Sequence, residues 1–138
     1  MKITDSPYYK KVVETHHLDI GNFYFFENMA VSEVNEGAHL DLSNTQKLLK
    51  ITNSFYKGKP FSHVSNRINK YSVSPIDFAN YCKSLENVES FVAIIYNNYF
   101  DEMNAQIEKH FIKKPYYVTD NLNDVFLWKS KNLKNLSA

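Results

Sequence analysis

Ten residues near the middle of the chain, 65 to 74, carry a guanidinium, an ammonium, a phenol, two carboxamides and three serine hydroxyls. The segment reads Ser65-Asn66-Arg67-Ile68-Asn69-Lys70-Tyr71-Ser72, and Ser74-Pro75 follows. Arg67 offers a planar fork of N–H donors suited to a carboxylate or phosphate. The free backbone N–H groups beyond Ser74, at a helix start, could hold the same anion. A purely structural account covers the same residue types. Asn66 and Asn69 would then tie the loop to itself, Arg67 would pair with a surface carboxylate, and Ser74 would cap the helix. Under the first account Ser65, Asn66, Arg67, Asn69, Tyr71, Ser72 and Ser74 form the candidate binding loop.

The other reactive residue types form no pattern of this kind. His16 and His17 are adjacent, so in a strand they point to opposite faces and cannot easily share an ion. His39 lies loosely near Glu36 and Asp41, while His63 and His110 stand alone, and no spacing resembles a zinc signature. Cys82 falls on an apolar helical stripe four residues after Phe78, the place of a small buried hydrophobe rather than a reactive thiol. The acids Glu33, Glu36, Asp41, Asp101 and Glu102 are scattered, and neither a Gly-rich phosphate loop nor a nucleophile elbow occurs. The expectation is therefore no catalytic residue, no metal and no cofactor.

These side chains must be positioned by strands and helices, and the periodicity predicts an order. Residues 12–20 are β-compatible, Phe23-Tyr24-Phe25-Phe26 is a strand, and Glu27-Asn28 turns the chain back through residues 29–34. Ser43-Asn44-Thr45-Gln46 fits a capping box, behind which Leu48, Ile51, Thr52 and Phe55 share one helical face. Gly58 and Pro60 end that helix, and residues 61–65 form a short strand. Ser74-Pro75-Ile76-Asp77 starts a second helix, with Ser74 as cap and Pro75 in the first turn. Phe91-Val92-Ala93-Ile94-Ile95-Tyr96 reads as a central strand buried on both faces. A third helix carries Phe100, Met103, Ile107 and Phe111 on one side. Residues 116–119 and a final helix with Leu122, Val125 and Trp128 complete an α/β fold: an antiparallel meander leading into parallel β-α units. Residues 1–10 read as a loose arm and 130–138 as a frayed tail of one domain.

Composition limits what such a domain does. At 138 residues the chain has room for one core. A net charge of +1 gives no basic excess for displacing counterions from phosphates, so nucleic acid is not an expected partner. No run approaches the ~20 apolar residues of a membrane span. A single cysteine and a polar N-terminus without an apolar signal region point to the cytoplasm. Aromatics make up 15% of residues, and those at Tyr8-Tyr9, Tyr56, Tyr71, Tyr99-Phe100 and Tyr116-Tyr117 either line a pocket or interface or edge the core.

The order of elements from about Val12 to Trp128 resembles the STAS/SpoIIAA-like fold, the family of anti-sigma-factor antagonists and their lipid-binding relatives. Within it, residues 21–28, 32–37 and 65–73 are similar to small STAS-like proteins of Bacteroidetes. In the antagonists a regulatory serine sits where a central strand enters the second helix, which here is the span from Ser65 to Ser74. That span holds neither an Asp-Ser pair nor a glycine, so Ser72 and Ser74 are nominated by position. The resemblance implies a non-enzymatic regulatory module that binds a partner protein or small ligand, with a homodimer among its forms. A carrier of an apolar or lipid-like ligand, or an enzyme acting on a small anion near Arg67, are the alternatives.

Overall fold

The computed structural model describes residues 1–96 and 98–131. Six strands form one mixed sheet: β1 (Glu14–Leu18), β2 (Gly21–Phe25), β3 (Met29–Val34), β5 (Phe61–Arg67), β7 (Val88–Ile95) and β8 (Tyr116–Thr119), side by side in that order. The first three pair antiparallel, as the meander predicts, and the rest pair parallel. Two-residue strands β4 (His39–Leu40) and β6 (Ser72–Val73) make a separate parallel ribbon. The helices are α1 (Gln46–Phe55), α2 (Pro75–Ser84), α3 (Tyr99–Phe111) and α4 (Leu122–Ser130).

Both faces of the sheet are covered, which is why β5 is buried at all seven positions although only every second residue faces each side. On the front, Phe23, Phe25, Phe61 and Phe91 pack with Leu48 of α1, Tyr81 and Cys82 of α2, and Ala105 of α3. On the back, Tyr24, Val31, Val64, Val92 and Ile94 pack with Leu122 and Val125 of α4 and with Ile3. The Tyr56 hydroxyl lies 2.7 Å from the carbonyl oxygens of both Phe26 and Met29, so its proton secures the β2–β3 turn to the end of α1. Gly37 adopts φ 78°, a left-handed conformation that suits glycine, in the turn after β3.

Several local expectations are corrected. Residues 1–10 are not a loose arm: short 3₁₀ turns form at Ile3–Asp5 and Tyr9–Lys11, Ile3 is completely buried, and its N–H donates to Glu33 Oε2 at 2.8 Å. The Ser43–Gln46 capping box does not form. Asp41 and Asn44 instead exchange backbone-to-side-chain bonds of 2.8 and 2.9 Å, and the Gln46 amide donates to the Leu42 carbonyl. Ser74 takes the position before α2 with Pro75 after it, but its hydroxyl makes no capping bond. Asn98 and Asn121 do cap α3 and α4 with their side-chain oxygens. Helix α4 continues to Ser130, and Lys129 reaches Ser62 and Glu89 at 2.9 Å each rather than lying in solvent. The rest of the expected tail, 132–138, lies outside the described residues. Among the described residues no helix is long and apolar enough to cross a membrane.

Candidate functional site

The strand expected to stop at Ser65 runs to Arg67, and this changes the meaning of the candidate loop. Alternation sends Ser65 and Arg67 to the front of the sheet and Asn66 to the back. At the back, the Asn66 amide donates to Glu33 Oε2 at 2.9 Å and to the Met1 carbonyl at 2.8 Å. It accepts from the Tyr96 hydroxyl at 2.6 Å. Burial, reinforced by the charge of Glu33, pushes the Tyr96 phenol up to about 12.

At the front, Arg67 is buried, and its guanidinium pairs with Glu108 of α3. Its Nε donates to Ser65 Oγ at 3.2 Å and its Nη2 to the Tyr116 hydroxyl at 3.4 Å, and that hydroxyl donates to the same Glu108 oxygen at 2.9 Å. Burial opposes the Arg67 charge, but Tyr71, Glu108 and Tyr116 outweigh it and hold the group protonated. Arg67 therefore does not present a solvent-facing fork. Its charge is already matched by a carboxylate inside the protein.

Above this layer the front face opens into a cleft of about 40 Å³ at the carboxyl ends of β3 and β5. Apolar walls come from Phe23, Val34, Leu40, Leu48, Val73, Phe78 and Tyr81, and the polar groups reaching it include His63, Ser65, Tyr71, Asp41 and Asp77. Ser65 Oγ and the Tyr71 hydroxyl are 3.0 Å apart. The His63 ring stands among Phe78, Tyr81 and Phe91. Burial, helped by the nearby Arg67 charge, lowers its pKa to about 4, so it is a neutral donor and acceptor at neutral pH.

The β4–β6 ribbon contributes Leu40 and Val73 to the cleft. His39 Nδ1 and Ser72 Oγ are 2.7 Å apart, the Lys70 N–H donates to Glu36 at 2.7 Å, and the Asn69 amide donates to the Val34 carbonyl at 3.0 Å. Of the seven candidate residues, only Ser65 and Tyr71 line the cleft. Ser72 and Asn69 fasten its cover, Ser74 precedes α2, and Asn66 and Arg67 belong to internal networks. The other lining residues, Ser32, Asp41, Thr45, His63 and Asp77 among the polar ones and Phe23 and Phe78 among the apolar ones, lie outside the candidate loop. His63 could have been found by its two-residue spacing from Ser65 in a buried strand. Phe23 could not, because it arrives from a strand 40 residues away.

A wider crevice of about 510 Å³ opens between the carboxyl ends of β7 and β8. At this edge α3 leaves toward the front of the sheet and α4 toward the back. Glu102, Asp120, Asp124 and Trp128 border it. Among the described residues no three His, Cys, Asp or Glu side chains stand together so as to hold a metal ion. No family model, curated protein or solved structure matches the chain.

Proposed function

We propose that this protein is a non-enzymatic binding module whose front cleft receives the apolar end of a small neutral or cationic ligand. The observation that carries this reading is the cleft itself: apolar walls with a few converging polar groups at the carboxyl edge of parallel strands, a usual setting for ligand sites. Asp41 and Asp77 place two carboxylates on its lining, which disfavours an anionic ligand. The neutral His63 ring and the Ser65 and Tyr71 hydroxyls can exchange hydrogen bonds with an uncharged polar group.

Binding rather than catalysis fits the chemistry of Ser65. Its partners are a phenol and a guanidinium, neither of which is a base at neutral pH. Action on an anion at Arg67 is disfavoured because that charge is matched internally. A volume near 40 Å³ is far below the ~300 Å³ at which whole drug-sized ligands are enclosed, so transport of an intact lipid would require the ribbon to lift. The strand order supports kinship with STAS-like regulators, and a cytoplasmic setting fits the single buried cysteine. Of the two serines nominated by position, Ser72 is exposed and bonded to His39. A phosphate there would replace one of the ribbon's fastenings.

The test is a set of neutral, cationic and anionic single-ring compounds followed by amide NMR shifts. Neutral and cationic members should shift residues 39–41, 63–65 and 71–78, and Val73→Trp should suppress the effect. Shifts confined to other surfaces, or equal response to anions, would remove the cleft from the proposal.

A further inference from the structure

Helix α3 is turned inside out. Its polar residues Asp101 and Glu108 are buried with Ala105, while its apolar stripe faces solvent. Tyr99 and Phe100 are each 72% exposed, and Met103, Ile107 and Phe111 between 41% and 44%. The helix cannot roll to hide them, because Glu108 is tied to Arg67 and Tyr116 beneath it. Together these side chains expose on the order of 500 Å² of apolar surface, at the upper range of what a monomer leaves bare.

We infer that this stripe is the contact surface for a second copy of the chain, packed α3 against α3 in antiparallel orientation about a two-fold axis. The spacing is its own complement. Tyr99, Met103, Ile107 and Phe111 recur every four residues, and the series is symmetric about residue 105: aromatic, aliphatic, aliphatic, aromatic. A two-fold at that level sets Tyr99 beside the partner's Phe111 and Met103 beside the partner's Ile107. Ridges spaced by four residues pack into the grooves of an identical helix, the commonest helix-pair geometry.

Charge agrees with the direction. The first turn of α3 carries the exposed Glu102, and its last turn carries the exposed Lys109 and His110, with exposed Lys113 just beyond. Antiparallel apposition brings the acidic end of each helix toward the basic end of the other and opposes their dipoles. Parallel apposition would stack like charges. Two such stripes together offer on the order of 1,000 Å², about the total that a specific interface must bury. The contact lies apart from the front cleft and stands whether or not that cleft binds a ligand.

Sedimentation of the full chain over a range of concentrations tests it. The expected result is a monomer–dimer equilibrium that Met103→Glu/Ile107→Glu abolishes, with an unchanged far-UV circular dichroism spectrum. If that double variant loses structure, Met103→Ser/Ile107→Ser takes its place. Under mild oxidation, M103C mixed with I107C should form a cross-linked dimer more readily than either alone, since the two positions meet only in the antiparallel register. A chain that stays monomeric throughout, including one that instead binds phosphatidylserine vesicles through this stripe, overturns the inference. So does a dimer that survives both exposed-face variants, or cross-linking that is equal in the single variants.

Discussion

Arg67 and Glu108, 41 residues apart, form a buried ion pair that decides which side of α3 faces the sheet. A guanidinium at the end of a central strand needs a carboxylate inside the protein, and α3 supplies it at the cost of exposing its apolar stripe. Breaking one half of such a pair strands the other. Glu108→Ala should therefore destabilise the fold by about 3–5 kcal/mol, while Arg67→Met/Glu108→Leu should cost much less. Urea unfolding of the three proteins measures the difference.

His63 makes stability depend on acid. Burial among aromatic rings and the Arg67 charge hold its folded pKa at about 4, below the ordinary value of 6.5. Above pH ~6.5 the imidazole is neutral in both states and its contribution is complete. As the pH falls from there toward 4, the unfolded chain takes up a proton that the folded chain refuses, and about 3 kcal/mol is lost. His63→Phe should flatten the urea midpoint across that window relative to the unsubstituted chain. An identical slope in both proteins would assign the acid sensitivity to other groups.

How far such features were legible follows from what each depends on. The seven residues from Phe61 to Arg67 alternate in two buried sets, but the polar Ser-Asn-Arg end of the strand reads as loop because its partners lie far along the chain. Arg67 finds Glu108 and Asn66 finds Glu33, neither of which a local window contains. The α3 periodicity announces a helix with one apolar side and says nothing of where that side points. The direction is set by Arg67. The meander, by contrast, was legible because adjacent strands pair across short turns and carry their signals locally.

Gly21 shows the same reliance on distant backbone. A β-carbon there would lie 2.5 Å from the Glu33 carbonyl oxygen and 2.8 Å from the Val34 α-carbon, both in the paired strand. Gly21→Ala must push β2 and β3 apart, a loss of at least about 1–3 kcal/mol. The thermal midpoint reports it. An unchanged midpoint would mean that the strands yield without cost.

Cys82 should behave as a buried hydrophobe. Burial, with the Glu108 charge adding to it, pushes its thiol well above the ordinary cysteine range, so almost no thiolate exists at neutral pH. Reaction with a thiol reagent such as dithionitrobenzoate should be slow in buffer and rapid in urea. Fast labelling of the folded protein would contradict the packing of α2 against the sheet.

The N-terminal segment is part of the back layer, and its removal should show this. Ile3 is fully buried beside Tyr24 and Leu122, and its N–H with the Asn66 amide solvates the buried Glu33 carboxylate. Ile3→Ala leaves that N–H in place and removes only packing, an expected loss of about 2–5 kcal/mol. Deleting residues 1–5 also takes away one donor to Glu33 and the Met1 carbonyl that accepts from Asn66, which adds about 1–3 kcal/mol for the group left short. The deletion should therefore unfold at lower urea than Ile3→Ala. Equal stability of the two proteins at neutral pH would mean that Glu33 is held by Asn66 alone and that the segment contributes apolar contact and nothing else.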